Sequence, residues 1–158
     1  MIVHLESLME LAGFFTAHAV WTVSLQHSPL APILVTEKDG ERTMVRFDKE
    51  SSMEEAVAKA QQQLDANVDG AERGILLYDA FVTLEDMKYD AIIVLGLEQE
   101  GGFRVELIQP YRPPGPDGKF AVMQPKVSFP EEMVDQAEAL IDAFFRGLDS
   151  HEEGGSIW

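Results

Sequence analysis

The most regular patterning in the chain is a doubled tripeptide, Tyr78-Asp79-Ala80 and Tyr89-Asp90-Ala91, each set in an apolar run and joined through Leu84-Glu85-Asp86-Met87. A tight turn at Glu85-Asp86 predicts a β-hairpin in which Leu84 faces Met87, Val82 faces Tyr89, Ala80 faces Ala91 and Tyr78 faces Ile93. One face of that hairpin is wholly apolar and is expected to be the core side. The same register sends Asp79 and Asp90 to the opposite face as diagonal neighbours, ~7–8 Å apart by sheet geometry.

Upstream the period changes. Leu5, Leu8, Met9, Leu11, Ala12, Phe15, Ala19 and Val20 recur at helical spacing, while Val3, Phe14, Val23 and Leu25 add apolar positions on other sides. A helix apolar nearly all round must be covered nearly all round. It is expected either to lie under further structure in the concave face of a sheet or to build a subunit interface. Pro29 and Pro32 mark its exit, and 33–37 and 43–47 flank the turn residues Lys38-Asp39-Gly40-Glu41 as a second hairpin. Ser51 or Ser52 caps the next helix, with Glu54 and Glu55 in its first turn and a stripe of Met53, Val57, Ala60 and Leu64.

Four strand candidates follow, at 75–84, 87–98, 103–109 and 119–129. A three-residue loop at Glu100-Gly101-Gly102 puts Leu97 opposite Val105, Leu95 opposite Leu107 and Asp90 opposite Arg112, continuing the apolar face. The stretch 110–118 holds four prolines and reads as a stiff surface loop, and Pro125 predicts an edge or a break. Pro130 opens a last helix with the stripe Met133, Ala137, Leu140, Ile141, Phe144 and Leu148, and its end is expected to begin at Gly147.

The order α-β-β-α-β-β-β-β-α, with strands joined mostly by hairpins, predicts an α+β fold: a mainly antiparallel sheet of about six strands with three helices packed mainly on one face. No composition break divides residues 1–149, which read as a single domain. The acidic, glycine-rich 150–158 reads as a flexible tail, with Trp158 able to dock on a neighbouring subunit. A chain of 158 residues, 46% hydrophobic and 25% charged, suits one core.

Charge and cysteine count narrow the function classes. Twenty-eight acids against twelve Lys and Arg give a net charge of -16, which repels phosphate backbones and anionic lipid surfaces, so neither nucleic acid nor membrane is expected as a partner. The apolar window 11–25 falls short of the ~20 residues of a membrane span. Lys38 is the first cation, which is unlike a signal peptide, and the chain has no cysteine; the cytoplasm is the expected compartment.

Asp79 and Asp90 are the candidate catalytic residues: paired carboxylates serve as general base and acid or as ligands to a hard cation. The simpler reading is a charge-balanced rim with Arg112 around a packed patch. His18 lies in the apolar helix one turn before Trp21, as a core or interface histidine or a catalytic candidate. Tyr111 and Arg112 open the proline loop and suit stacking on a ligand, and Trp21 and Trp158 are further binding candidates. No phosphate-binding glycine loop, G-x-S-x-G elbow or metal-ligand spacing is present, and no cofactor or metal is expected. The leading expectation is a non-catalytic cytoplasmic protein that binds itself, as a homodimer first, or another protein. The alternative is a small-ligand binder or metal-assisted hydrolase using Asp79 and Asp90. The third is an acidic decoy for a basic partner.

Overall fold

Among the described residues seven strands form one antiparallel sheet, and three α-helices cover its faces. The structure is a computed structural model. It describes residues 2–25, 30–114, 116 and 118–158, the side chains of 2 and 3 excepted; His27, Pro29 and Gly115 lie outside the described residues. In chain order the elements are α1 (Ile2–Leu25), β1 (Ile33–Lys38), β2 (Glu41–Arg46), α2 (Met53–Ala66), β3 (Arg73–Leu84), β4 (Met87–Glu98), β5 (Phe103–Arg112), β6 (Ala121–Val122), β7 (Lys126–Ser128) and α3 (Ala137–Asp149). Strand order across the sheet is β2-β1-β3-β4-β5-β6, with β7 also paired to β5. This is the α+β architecture, in the element order, that the sequence predicts. The last strand candidate divides into β6 and β7 on either side of Pro125.

The β3–β4 hairpin has the expected register, Tyr78↔Ile93 through Leu84↔Met87, around Glu85 and Asp86. Both turn residues have positive φ, 50° and 66°, the handedness that suits a two-residue hairpin turn. The assignment of faces is a correction. The Tyr/Ala face, expected to be the core side, carries the smaller apolar cluster of Leu34, Leu76, Leu97 and Phe47 under α2. The face bearing Asp79 and Asp90 is the main core face, where Ile75, Leu77, Ile92, Val94 and Leu107 meet α1 and α3. Two of the three helices, α1 and α3, therefore share one face, with α2 alone on the other, but the face they share is the one bearing the aspartates.

A second correction lies in the loop to β5. Glu98 pairs with Phe103, so four residues form the connection, part of it a turn of 3-10 helix, and the register slips by one from the expected value. A one-residue slip turns every side chain of a strand to the other face. Val105 therefore opposes Gly96, Leu107 opposes Val94, and Tyr111, not Arg112, opposes Asp90. On the α2 side the apolar continuation gives way to Leu97 opposite Arg104 and Leu95 opposite Glu106. β5 also runs through Pro110 into the stretch read as a loop. Buried Gln109 helps hold it there, donating its Nε2 to the carbonyls of Pro110, 3.0 Å, and Met123, 2.7 Å.

α1 is buried inside its own chain, between the sheet and α3, the first of its two expected fates. Its stretch His4–Leu25 is long and apolar enough to cross a membrane by length and composition, longer than the window read from the sequence, and most of it is buried within this fold. The α1–α3 crossing is close enough to require glycine. A Cβ on Gly13 would lie 1.9 Å from the Phe144 carbonyl oxygen, and one on Gly147 2.0 Å from that of Glu10. Gly147 thus sits at a helix crossing within the last turn of α3, which ends at Asp149. α2 starts as expected, with Ser52 accepting the Glu55 N–H at 3.1 Å. Pro130 leads first into a 3-10 segment, Glu131–Gln136, and only then into α3.

Candidate functional site

Asp79 occupies a core-facing position of β3, so its carboxylate is buried and must find donors. Two elements distant in sequence supply them. The Leu30 N–H, just beyond α1, donates to Oδ2 at 3.0 Å, and the Tyr111 hydroxyl of β5 reaches Oδ1 and Oδ2 at 2.8 and 2.9 Å. The Tyr111 ring is itself buried and stacks on Phe120, with centroids 5.5 Å apart. Burial pushes the Asp79 carboxyl above its usual range, the Leu30 and Tyr111 hydrogen bonds pull it back, and the nearby Asp90 charge adds to the rise. The Tyr111 phenol is driven upward by burial and then by Asp79, which keeps it a donor. Chemically this is a clamp: one carboxylate ties the entry to β1 and the end of β5 to the central strand.

Arg112, expected beside the aspartates, is exposed and pairs its backbone with Ala121 on the sheet margin. Asp90 lies on the Asp79 face as expected, directly across from Tyr111. Both Asp79 oxygens accept hydrogen bonds from within the fold, Oδ2 from the Leu30 N–H and both from the Tyr111 hydroxyl. Among the described residues no three His, Asp or Glu side chains converge as a cation site.

His18 acquires the neighbour that its local sequence lacks. Its Nδ1 lies 3.3 Å from Nε2 of His151, 133 residues away, and His151 Nδ1 accepts the Gly154 N–H at 2.8 Å. Trp21 and Phe14 lie against the His151 ring, with centroids 5.8 and 5.0 Å away. Burial holds the His18 imidazole below the usual histidine range, the His151 and Arg46 charges push the same way, and Glu153 opposes them.

The segment that brings His151 is the one read as a flexible tail. It is seated on α1: His151 and Gly154 are buried, Gly155–Ile157 form a turn of 3-10 helix, and Trp158 packs against the protein's own core. A Cβ on Gly154 would lie 2.3 Å from the Ala17 carbonyl oxygen. Small residues in 150–158 read as disorder in composition and serve as close packing in the fold.

One further polar cluster carried no local signal. Arg73 is buried, with its Nε 2.9 Å from Oε1 of Glu98, a residue 1% exposed, and its guanidinium also paired to Glu37. The cross-strand pair Arg73↔Glu98 at the far end of the β3–β4 register was the one available clue. A depression of about 210 Å³ opens beside it, lined by His4, Glu72 and Gln99 among others. Larger ones of about 460 and 340 Å³ lie by Lys38 and Asp69 and by Leu95 and Arg104. None of these three is lined by Asp79, Asp90 or His18. No known protein family, curated protein or solved structure matches the chain.

Proposed function

We propose that the protein is a non-catalytic protein-binding module whose first partner is a second copy of itself. The observation that carries this reading is the distal part of the β3–β4 hairpin. β1 pairs with β3 only as far as Leu77, and β5 pairs with β4 only from Asp90 onward. Residues 78–84 and 87–89 are therefore a two-stranded arm whose ladder has no strand beyond it on either side among the described residues. On this arm Phe81 is 66% exposed and Met87 59%, and Lys88 Nζ sits 4.3 Å over the Phe81 ring.

A free strand edge is a template for pairing, and exposed large apolar side chains beside it supply the anchors that interfaces use. Two-fold association is the commonest closed solution for identical chains. α1 no longer contributes to this reading, since its own chain covers it. The cytoplasm remains the compartment proposed for a cysteine-free chain.

Sedimentation velocity tests the proposal. The wild type is expected to sediment as a dimer at micromolar concentration, and the double variant Phe81→Ser, Met87→Ser as a monomer with unchanged far-UV circular dichroism. A wild type that stays monomeric up to about 100 μM, weaker than any stable specific dimer, rejects it.

A further inference from the structure

At the His18–His151 pair the direction of each hydrogen bond is forced. The Gly154 N–H can only donate, so His151 Nδ1 carries no proton. A neutral imidazole bears one proton, which therefore sits on Nε2 and points at His18 Nδ1, 3.3 Å away. His18 Nδ1 accepts, leaving its own proton on Nε2. A second proton on either ring turns an acceptor into a donor that faces another donor: the Gly154 N–H in the case of His151, the His151 Nε2–H in the case of His18.

The charged groups around the pair do not relieve this. Arg46 of β2 acts on His18 in the same sense as burial does, towards the neutral form. Arg42 of β2 lies over the neighbouring Phe14 ring at 5.2 Å and adds no acceptor. Glu153, the facing acid, stands 3.8 Å from His151 Nδ1 with its side chain 55% exposed, too far and too wet to replace a hydrogen bond. The His151–Gly154 bond closes the turn that sets Gly154 against Ala17, so losing it unseats the segment at its tightest contact. At the far end, the Trp158 indole N–H is buried without a hydrogen-bond partner among the described residues and gains one in water on leaving.

We propose that residues 150–158 form a proton-released latch on α1, closed while His18 and His151 are both neutral and opened when either takes a proton, uncovering Phe14, Ala17 and Trp21. The inference is independent of the hairpin arm and of self-association. Opening is expected below the ordinary histidine value of about 6.5, since burial holds the His18 imidazole beneath it.

The test uses the intact wild-type chain. Carboxypeptidase release of Trp158 and Ile157 is followed by mass spectrometry across pH, normalised to the free nine-residue peptide, while histidine ring protons are titrated by NMR. The expected result is a roughly tenfold loss of protection between about pH 7.5 and 5.2, the range over which histidine charges. Its midpoint should coincide with the His18 titration, with far-UV circular dichroism unchanged. Equal protection at both pH values overturns the latch. So does a midpoint below about pH 4.5, where carboxylates titrate, or loss of protection only when the whole fold is lost.

Discussion

Asp79 shows how one side chain takes opposite meanings from pattern and from packing. As one of two carboxylates on a shared sheet face it suggests acid–base chemistry; buried and capped by Leu30 and Tyr111 it is a structural tie. Its elevated carboxyl has a consequence for stability. The folded protein holds the proton above the ordinary 3.8 at which the unfolded chain loses it. The contribution of Asp79 is therefore present in full below pH 3.8 and falls as pH rises through the folded value. An asparagine in its place has no proton to lose. The stability of Asp79→Asn relative to wild type is expected to climb from about pH 4 upward and then level off, measured by urea unfolding across that range. A difference constant with pH would mean that burial does not dominate at this carboxyl. The shared face of Asp79 and Asp90 was legible in the sequence because side chains alternate strictly along a strand. Their neighbour was not: Gln99 joins the loop instead of the ladder, and that single residue exchanges Arg112 for Tyr111.

Among the elements, α1 and α3 are joined by contact of their backbones. Gly13 and Gly147 leave no room for a methyl group, and the atoms it would meet are carbonyl oxygens that cannot rotate away. Gly13→Ala and Gly147→Ala are each expected to cost about 3 kcal/mol or more by forcing the helices apart, the upper range for overpacking. Chemical denaturation measures this, and a loss below about 0.5 kcal/mol would show that the crossing can widen freely. Helix periodicity made both helices readable and their buried stripes largely so, with Leu140, Phe144 and Leu148 in the core as expected. The crossing point was not readable, since a glycine near a helix end looks the same in sequence whether it stops the helix or admits a neighbour. Gly154 repeats the lesson in the terminal segment, where a flexible composition turns out to be a tight seat on Ala17.

Across the whole molecule, a net charge of -16 on 158 residues makes self-repulsion a general term opposing the folded state. Screening it should stabilise: raising NaCl from about 0.01 to 0.5 M shrinks the Debye length from ~30 Å to only a few ångströms. About 1 kcal/mol regained corresponds to a rise in Tm of ~2–4 °C for a domain of this size. Scanning calorimetry checks this, and a fall in Tm with salt would show that attractive pairs such as Arg73–Glu98 outweigh the repulsion. The sequence by itself determined the α+β class, the element order and the β3–β4 register, because periodicity and turn chemistry are local and repeat over many residues. Only the tertiary structure decided which sheet face is the main core, that α1 is covered by its own chain, that Tyr111 rather than Arg112 meets the aspartates, and that His151 reaches His18. Each of those rests on a single loop residue or on contacts between segments distant in the chain, where no repeating pattern exists to be read.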